Sequence, residues 1–284
     1  MADRVVGVIG GSGLYDLPAL TERKEHTIHT TFGAPSDSVM EGRIGPTRYL
    51  FLPRHGRGHR VAPHEINYRA NVLALKMLGA EQIVSISAVG SLREELHPGD
   101  VVVVDQFIDR TRARPSTFFE GVGVVAHVAF ADPVDHALAN VLEAAAREAG
   151  GRVHRGGAYI CIDGPQFSTR AESRTYQGWG ASVIGMTNLP EARLAREAQL
   201  PYATLALVTD YDAWRAEEEG VSVADVVAVL HRNVDVARRA LALLATRLPD
   251  PAASPATRAL EHALLTAPEA IPAAARVKLA HLLP

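Results

Sequence analysis

The sequence predicts a single α/β domain. Short runs rich in apolar and β-branched residues alternate with longer segments of helical periodicity. Polar and glycine-rich stretches follow the strand-like runs, and the carboxyl ends of strands are where open α/β sheets bind ligands. The 284 residues, 47% of them apolar, suffice for one large domain with its own core.

Composition narrows the class of protein. A formal net charge of −3 gives no basic surface for nucleic acid. No apolar run approaches about 18 residues, and acidic Asp3 stands where a signal peptide would be basic, so we expect neither a membrane span nor a signal peptide. The single cysteine, Cys161, allows no internal disulfide and favours a reducing cytoplasm. Since it lies in an apolar run, we expect it to pack in the core.

The first predicted strand, Val5–Ile9, runs into the glycine-rich stretch 10–13. Such a loop can bring backbone amides and the Ser12 hydroxyl against an anion, or it can be a plain tight turn. It does not match the dinucleotide fingerprint, because Asp16 stands where the third glycine would be.

A second predicted strand, Tyr49–Leu52, leads into a dense group of cations and glycines that includes Arg54 and His55. Their donors suit phosphate, although such a loop can also be a solvated turn. Helix 64–78 follows and ends at Gly79. Further predicted strands are Gln82–Ala88, Asp100–Gln106, Ala158–Ile162, 182–187 and Tyr202–Val208, and further predicted helices are 134–149, 190–199 and 222–247.

Polar side chains follow three of these later strands. Ser87 offers a hydroxyl at the end of one strand, and Phe167 with Ser168 offers a stacking face and a small polar contact after another. Thr187 and Asn188 precede the helix that Pro190 begins, where they either bind an anion or cap the helix.

Two carboxylates one residue apart, Asp210 and Asp212, end the apolar strand Tyr202–Val208. If the backbone stays extended, both point the same way, about 7 Å apart, toward one flat polar heterocycle. Burial and mutual repulsion would raise the pKa of at least one of them, so it could donate a hydrogen bond or a proton. The alternative is a solvated turn.

Two stretches have no regular pattern. Residues 109–123 read as a long functional or interface loop, in which Phe118 and Phe119 are expected to pack. Residues 249–258 read as a Pro/Ala-rich linker, so we expect a main domain over 1–248, with short helices of 249–284 packing on it.

Six ordered blocks, GGSG, PRHG with PHEINYRANVLALK, SAVGS, DGPQFSTRAE, IGMTNLPEARLAREA and ALVTDYDAW, resemble the purine nucleoside phosphorylase family. The resemblance is closest to the branch that acts on 5'-methylthioadenosine. It implies a mixed central β-sheet flanked by helices in a single phosphorylase/hydrolase-like domain. It also implies that phosphate attacks C1' of the ribose and a purine leaves, with no cofactor or metal beyond the phosphate co-substrate.

The resemblance assigns a role to each matching position. The implied catalytic pair is Asp210, partner of the purine N7, and Asp212, acceptor from the 6-amino group. Implied phosphate ligands are Ser12, Arg54, His55, Ser87, Ala88 (through its N–H) and Thr187. Implied nucleoside contacts are Phe167, Ser168, Met186, Val223 and Val226, joined by His127 and Leu282 from a neighbouring subunit of a homotrimer.

Two positions in this match separate substrates. The 6-oxopurine branch typically carries Asn at the position of Asp210, so the carboxylate indicates a 6-aminopurine. Enzymes that bind a free 5'-hydroxyl tend to carry His at the position of Val223, so the apolar residue indicates a methylthio group. The chain departs from the branch in having Ser12 and Ser87 where threonine is common, and residues 249–273 do not align.

Other functions stay open at this point. A phosphorylase preferring inosine or methylthioinosine conflicts with the aspartate pair, and a hydrolytic nucleosidase would not need the phosphate ligands. A nucleoside-binding module without turnover would not need a complete set of contacts to phosphate, sugar and base. A dinucleotide-dependent oxidoreductase lacks its fingerprint.

Overall fold

The computed structural model describes residues 4–11, 13–215 and 223–283, apart from the side chains of 223–228, 230 and 231. Over these residues one sheet carries the strands β1 (Arg4–Gly10), β2 (Thr21–His26), β3 (Val39–Ile44), β4 (Thr47–Pro53), β5 (Gln82–Ser91), β6 (Val101–Val103), β7 (Gln106–Asp109), β8 (Val153–Arg155), β9 (Ala158–Cys161), β10 (Ala181–Gly185) and β11 (Tyr202–Asp210). The α-helices are α1 (Tyr68–Met77), α2 (His136–Glu148), α3 (Arg170–Gly178), α4 (Asn188–Glu197), α5 (Val223–Leu244) and α6 (Ala273–Lys278).

The sheet is mixed and branches at its central strand, β5. Its strands run in the order β2-β3-β4-β1-β5-β10-β9-β7, while β11 pairs with the other edge of β5 and leads on to β6 and β8. Strands β1 and β11 run parallel to β5, and β10 runs antiparallel to it. The predicted single α/β domain with a mixed central sheet is therefore confirmed.

Alternate side chains along a strand point to opposite faces of the sheet, and both faces are covered by apolar layers. Along β11, Tyr202, Ala206 and Val208 join one core cluster, whereas Leu205 and Leu207 join the other. Helices α2 and α5 cover the second face, and α1 and α4 cover the first. Burial on both faces explains why β11 reads as a continuous apolar run.

Several predicted boundaries needed correction. The strand predicted over Asp100–Gln106 is two strands, because the chain leaves β6, which pairs with β11, and enters β7, which pairs with β9. The first helix begins at Tyr68, since the side chain of Asn67 accepts a hydrogen bond from the backbone N–H of Ala70 and caps it. Strands β2, β3 and β8 and helix α3 were not predicted.

Residues 249–283 are folded against the sheet. The stretch predicted as a linker forms short 3-10 helices at Pro251–Ala253 and Pro255–Arg258, and a third lies at Pro268–Ala270. Leu260 and Leu279 are buried in the core cluster that also holds side chains of α1 and α4. Across the described ranges we find no helix with the length and apolarity that a membrane crossing requires.

Candidate active site

The branch point of the sheet leaves an opening beside β5. Strand β1 stops pairing with β5 at Ser85, and β10 begins pairing at Gly90. Within that gap Ala88 is exposed, although every other residue of β5 is buried. The carboxyl ends of β4, β5, β10 and β11 surround the gap, which makes it the candidate site and puts the backbone of Ala88 on its floor.

Hydroxyl groups line one side of this opening. Ser87 and Thr187 are 4% and 5% exposed, and their hydroxyl oxygens are 3.3 Å apart. Thr187 precedes α4 without capping it through its side chain, so its hydroxyl is not used by the helix. Asn188 instead turns inward and donates to Thr204 Oγ1 at 2.6 Å. Ser12 lies outside the described residues.

Arg54 follows β4 and is bound almost entirely within the protein. Its guanidinium forms a two-pronged pair with Glu191, at 2.8 Å from Nε and 2.9 Å from Nη2, and only 2% of the residue is exposed. Burial opposes the charge, but Glu191 more than offsets this and raises the pKa of Arg54. Among the described residues, Nη1 has a single acceptor, the carbonyl of Ile86, so one of its two N–H groups is left for an anion.

His55, the next residue, is held as a neutral ring. Its Nδ1 lies 2.9 Å from the carbonyl oxygen of Val61, which can only accept, so Nδ1 carries the proton. Burial, with a smaller contribution from the charge of Arg54, lowers the pKa of His55 to about 4. The ring also stacks on His59 with centroids 4.3 Å apart. Nε2 of the neutral ring is therefore an acceptor, suited to the O–H of a protonated phosphate.

The aspartate pair lies on the other side of the opening, in a geometry that differs from the predicted one. The register of β11 against β5 shifts between Val208 and Asp210, which sets Asp210 opposite Gly90. The backbone does not stay extended, because Asp212 has φ +51° and its N–H donates to Asp210 Oδ1 at 2.8 Å. The two carboxyls are brought together by this turn.

Gly90 makes room for the pair. A Cβ at this position would stand 2.9 Å from Asp210 Oδ1 and 3.2 Å from the Cβ of Asp212, so any larger residue would push the carboxyls away. The second oxygen of Asp210, Oδ2, accepts from the hydroxyl of Thr209 at 2.7 Å. The position of Asp210 is thus fixed by contacts to both of its oxygens.

Three buried oxygens lie near one another at Asp212 without a well-formed hydrogen bond among the described residues: Asp212 Oδ2, Ser168 Oγ and Ser173 Oγ. Burial raises the pKa of the Asp212 carboxyl, and the nearby hydroxyls of Ser173 and Ser168 act in the opposite direction. Buried polar atoms in native proteins are nearly always paired, so this group has the character of a binding site for a ligand with donors of its own. Ser173 was not predicted from the sequence.

The side chains expected to contact base and sugar flank this group. Phe167 is 48% exposed and offers an open ring face, and Met186 is half-buried. Arg114, from the long loop, donates from Nη1 to the carbonyl of Met186 and from Nη2 to that of Asp163, both at 2.8 Å. This arginine ties the segment that holds Met186 to the segment that holds Asp163. No pattern within the loop itself distinguishes it from the other arginines there.

The residues assigned to the 5' end of the nucleoside lie in helix α5, and the two assigned to a neighbouring subunit differ in their exposure. Val223 and Val226 lie in the first turns of α5, and their side chains are outside the described set. His127 is exposed. Leu282 is only 2% exposed and packs in its own chain's core, so it would have to move to reach another subunit.

Some contributors come from remote parts of the chain. Glu191 stands 137 residues from its partner Arg54, and Tyr159 stands 72 residues from Ser87, whose hydroxyl it approaches to 3.2 Å. Both are fully buried, with 0% exposed. A glutamate one residue after Pro190 reads from sequence as an ordinary first-turn residue, and a tyrosine in an apolar strand reads as core.

Three known proteins that this chain resembles, in sequence or in structure, share one named activity. A 51% identical protein of Geobacter sulfurreducens, matched over 98% of this chain and 97% of its own length, is an S-methyl-5'-thioadenosine phosphorylase. A methylthioadenosine phosphorylase from an Antarctic soil metagenomic library superposes with TM-score 0.92 at 48% identity, with both chains fully covered. A methylthioadenosine phosphorylase of Schistosoma mansoni in complex with adenine superposes with TM-score 0.85 at 37% identity, over 92% of this chain and 99% of that one.

The family model agrees with these relatives. The model described as the phosphorylase superfamily matches residues 5–246, a range that contains helices α1 to α5 and the described sheet except for its first residue, Arg4. The expectation of a phosphorylase fold is confirmed. The chain belongs to the phosphorylase superfamily.

Proposed function

We propose that this protein cleaves S-methyl-5'-thioadenosine with inorganic phosphate, giving adenine and 5-methylthioribose 1-phosphate. The observation that carries the proposal is the pairing of two chemically different ends across one opening. Hydroxyls and amides suited to an anion lie at Ser87 and Thr187, and carboxyls suited to an aminopurine lie at Asp210 and Asp212. Relatives about half identical over nearly the full chain bear this activity in their names.

The spacing of the two ends suits a nucleoside. Ser87 lies opposite Ala206, and Gly90 lies opposite Asp210, so the ends are three residues apart along β5. At roughly 3.3 Å per residue this is about 10 Å, which leaves room for one pentose between phosphate and base. Ala88, exposed one residue after Ser87, would lie under the sugar or the phosphate rather than obstruct them.

The reaction follows from this placement. An oxygen of phosphate attacks C1' while the bond from C1' to N9 breaks, and the electron pair of that bond moves into the purine. In this proposal Asp210 stabilises or protonates N7 of the leaving base, and Asp212 accepts from its 6-amino group. Donors at Arg54, Ser87 and Thr187 hold the phosphate against the cationic sugar. No cofactor is part of the proposal.

The base end also supports adenine over 6-oxopurines. The carbonyl oxygen of a 6-oxopurine would face the acceptor oxygens of two aspartates, whereas an amino group donates to them. A mispaired buried group costs on the order of 1–3 kcal/mol, or roughly 5- to 150-fold in preference.

Measuring adenine release from S-methyl-5'-thioadenosine with and without phosphate tests the proposal. We expect release to require phosphate and to yield one sugar phosphate per adenine. Equal release without phosphate would identify a hydrolase and overturn the proposal. Methylthioinosine serves as the matched substrate that differs only at C6, and faster turnover of it would refute the assignment of the aspartate pair.

The proposal includes a homotrimer in the cytoplasm. The trimer is supported by an exposed surface strip beside His127. There the backbone N–H of His127 donates to the carbonyl of Ala263 at 2.8 Å. Next to it, Val125 and Leu265 are 49% and 66% exposed, an apolar surface that a subunit interface would bury. Sedimentation analysis of wild type and of Leu265→Asp tests this, since a trimer should dissociate in the variant. A monomeric wild type would contradict it.

A further inference from the structure

Tyr159 lies beneath the hydroxyl end of the site without reaching the opening itself. Its side chain is 0% exposed, and its ring packs edge-on against Phe107 with centroids 5.9 Å apart. Gly185 accommodates the phenol, since a Cβ there would stand 2.0 Å from its oxygen. The phenol oxygen is therefore held in one place by the packing around it.

This oxygen meets both hydroxyl-bearing residues of the site. It lies 3.2 Å from Ser87 Oγ and 3.4 Å from the backbone N of Thr187. The two hydroxyl oxygens of Ser87 and Thr187 lie 3.3 Å from each other. All three contacts are longer than the roughly 2.8 to 3.0 Å of a tight hydrogen bond.

The available protons show which atom donates in each hydrogen bond of Tyr159. The N–H of Thr187 can only donate, so Tyr159 Oη must accept from it. The proton of the phenol then has Ser87 Oγ as its acceptor. Once Ser87 accepts from below, its own proton is left to point away from the phenol, toward Thr187 Oγ1 at 3.3 Å or toward the opening.

A bound anion requires the hydroxyl of Ser87 to present its proton rather than its lone pairs. Phosphate oxygens without a proton accept hydrogen bonds only, so a hydroxyl that turns its lone pairs to the anion repels it. Ser87 Oγ also donates to the carbonyl of Ala88 in a long contact of 3.4 Å, which its proton must leave in order to reach an anion. Burial raises the pKa of Tyr159 to about 12, so the phenol keeps its proton at neutral pH.

We propose that Tyr159 is a positioning residue for the phosphate co-substrate: by accepting from the backbone N–H of Thr187 and donating to Ser87 Oγ, it leaves the Ser87 hydroxyl proton to turn toward the anion. The assignment rests on the proposed function, because it takes the ligand at Ser87 and Thr187 to be phosphate. It goes beyond the residues that contact substrate, since Tyr159 acts only through the hydroxyl of Ser87.

Tyr159→Phe tests the assignment, because it removes one oxygen and keeps the ring packed on Phe107. The KM for phosphate should rise about 3- to 10-fold, the effect of one hydrogen bond, while the KM for the nucleoside at saturating phosphate stays within twofold. Tyr49→Phe is the matched control. Tyr49 is equally buried and donates to the carbonyl of Leu241 at 2.6 Å, away from the site, so its loss should lower stability but not change phosphate binding.

A second variant separates positioning from general damage. If Tyr159 acts through Ser87, then Tyr159→Phe in a Ser87→Ala background should add less than twofold to the phosphate KM. A phosphate KM for Tyr159→Phe within twofold of wild type would overturn the proposal, as would full additivity with Ser87→Ala or an equal effect of Tyr49→Phe.

Calorimetric titration with inorganic phosphate keeps the test independent of turnover. The Kd of Tyr159→Phe for phosphate should rise by the same factor as the KM, and an unchanged Kd would overturn the proposal. Wild-type protein that releases no adenine in a phosphate-dependent manner would refute the proposed function instead. The two failures are thus read from different proteins and different measurements.

Discussion

Replacing Asp210 by Asn tests the role of the base-end carboxylate with little disturbance of the fold. Asp210 accepts from the Asp212 N–H at 2.8 Å and from the Thr209 hydroxyl at 2.7 Å. An amide oxygen can keep the first bond. Its NH2 group then faces Thr209, whose hydroxyl also reaches the carbonyl of Val89 at 3.1 Å and can turn to accept. We therefore expect a loss of stability of only about 1 kcal/mol.

The effect on catalysis should be much larger. An amide cannot give a proton to N7 of the departing adenine, and loss of a general acid lowers a rate by about 10²- to 10⁴-fold, or roughly 3 to 5.5 kcal/mol. We expect kcat/KM for S-methyl-5'-thioadenosine to fall by this factor at saturating phosphate, measured by adenine release. The ratio of methylthioinosine to methylthioadenosine turnover should rise, since the amide can donate to O6.

Asp135→Asn is the matched control for this experiment. Asp135 accepts from a backbone N–H at 2.8 Å and from the hydroxyl of Ser254 at 2.6 Å, nearly the same contacts as Asp210. Its own N–H donates to Tyr202 at the start of β11, roughly 26 Å from Asp210 by strand length. Activity of Asp210→Asn within about threefold of Asp135→Asn would refute the role given to Asp210.

Three further outcomes follow from the site. Glu191→Gln should lower the free energy of unfolding by about 3–5 kcal/mol in urea titrations, because it leaves the buried Arg54 charge without its partner, whereas Glu148→Gln, in an exposed pair, should change it little. Val223→His should raise the kcat/KM for adenosine relative to methylthioadenosine, and an unchanged ratio would contradict its place in the 5' pocket. The pKa of His55 is lowered to about 4, so the unfolded chain binds the extra proton first and stability should fall as the pH drops from about 6.5 to 4. Unfolding of His55→Gln across that pH range should show a shallower fall, and an identical slope would count against the neutral ring.

Most of the strands near the site could be predicted from the sequence, because these strands are buried and therefore consist mainly of apolar residues. Strand β11 was placed almost to the residue by its apolar run. Strand β2, TERKEH, was missed because it is polar and exposed over nearly its whole length. Helix α3 was missed for a similar reason, since only Ser173 and Tyr176 of its residues are buried.

The pairing of distant residues could not be read from local patterns. Asp210 and Asp212 were located by their position after a strand, but the left-handed conformation of Asp212 depends on the turn that it makes with Asp210. The contacts of Tyr159 and Glu191 with the site depend on which strands become neighbours. Resemblance to a family identifies residues that meet the substrate more readily than the buried side chains that hold them.

The balanced charge of Arg54 has a consequence for how the co-substrate is held. Glu191 neutralises the guanidinium and His55 carries no charge, so a phosphate bound at the proposed site would meet N–H and O–H dipoles with little net positive charge among the described residues. Dissolved salt screens attraction between exposed charges, but it screens short contacts inside a closed cleft far less. The KM for the co-substrate should accordingly vary little with ionic strength. Release of the sugar phosphate should also be easier than from a site with a large positive charge.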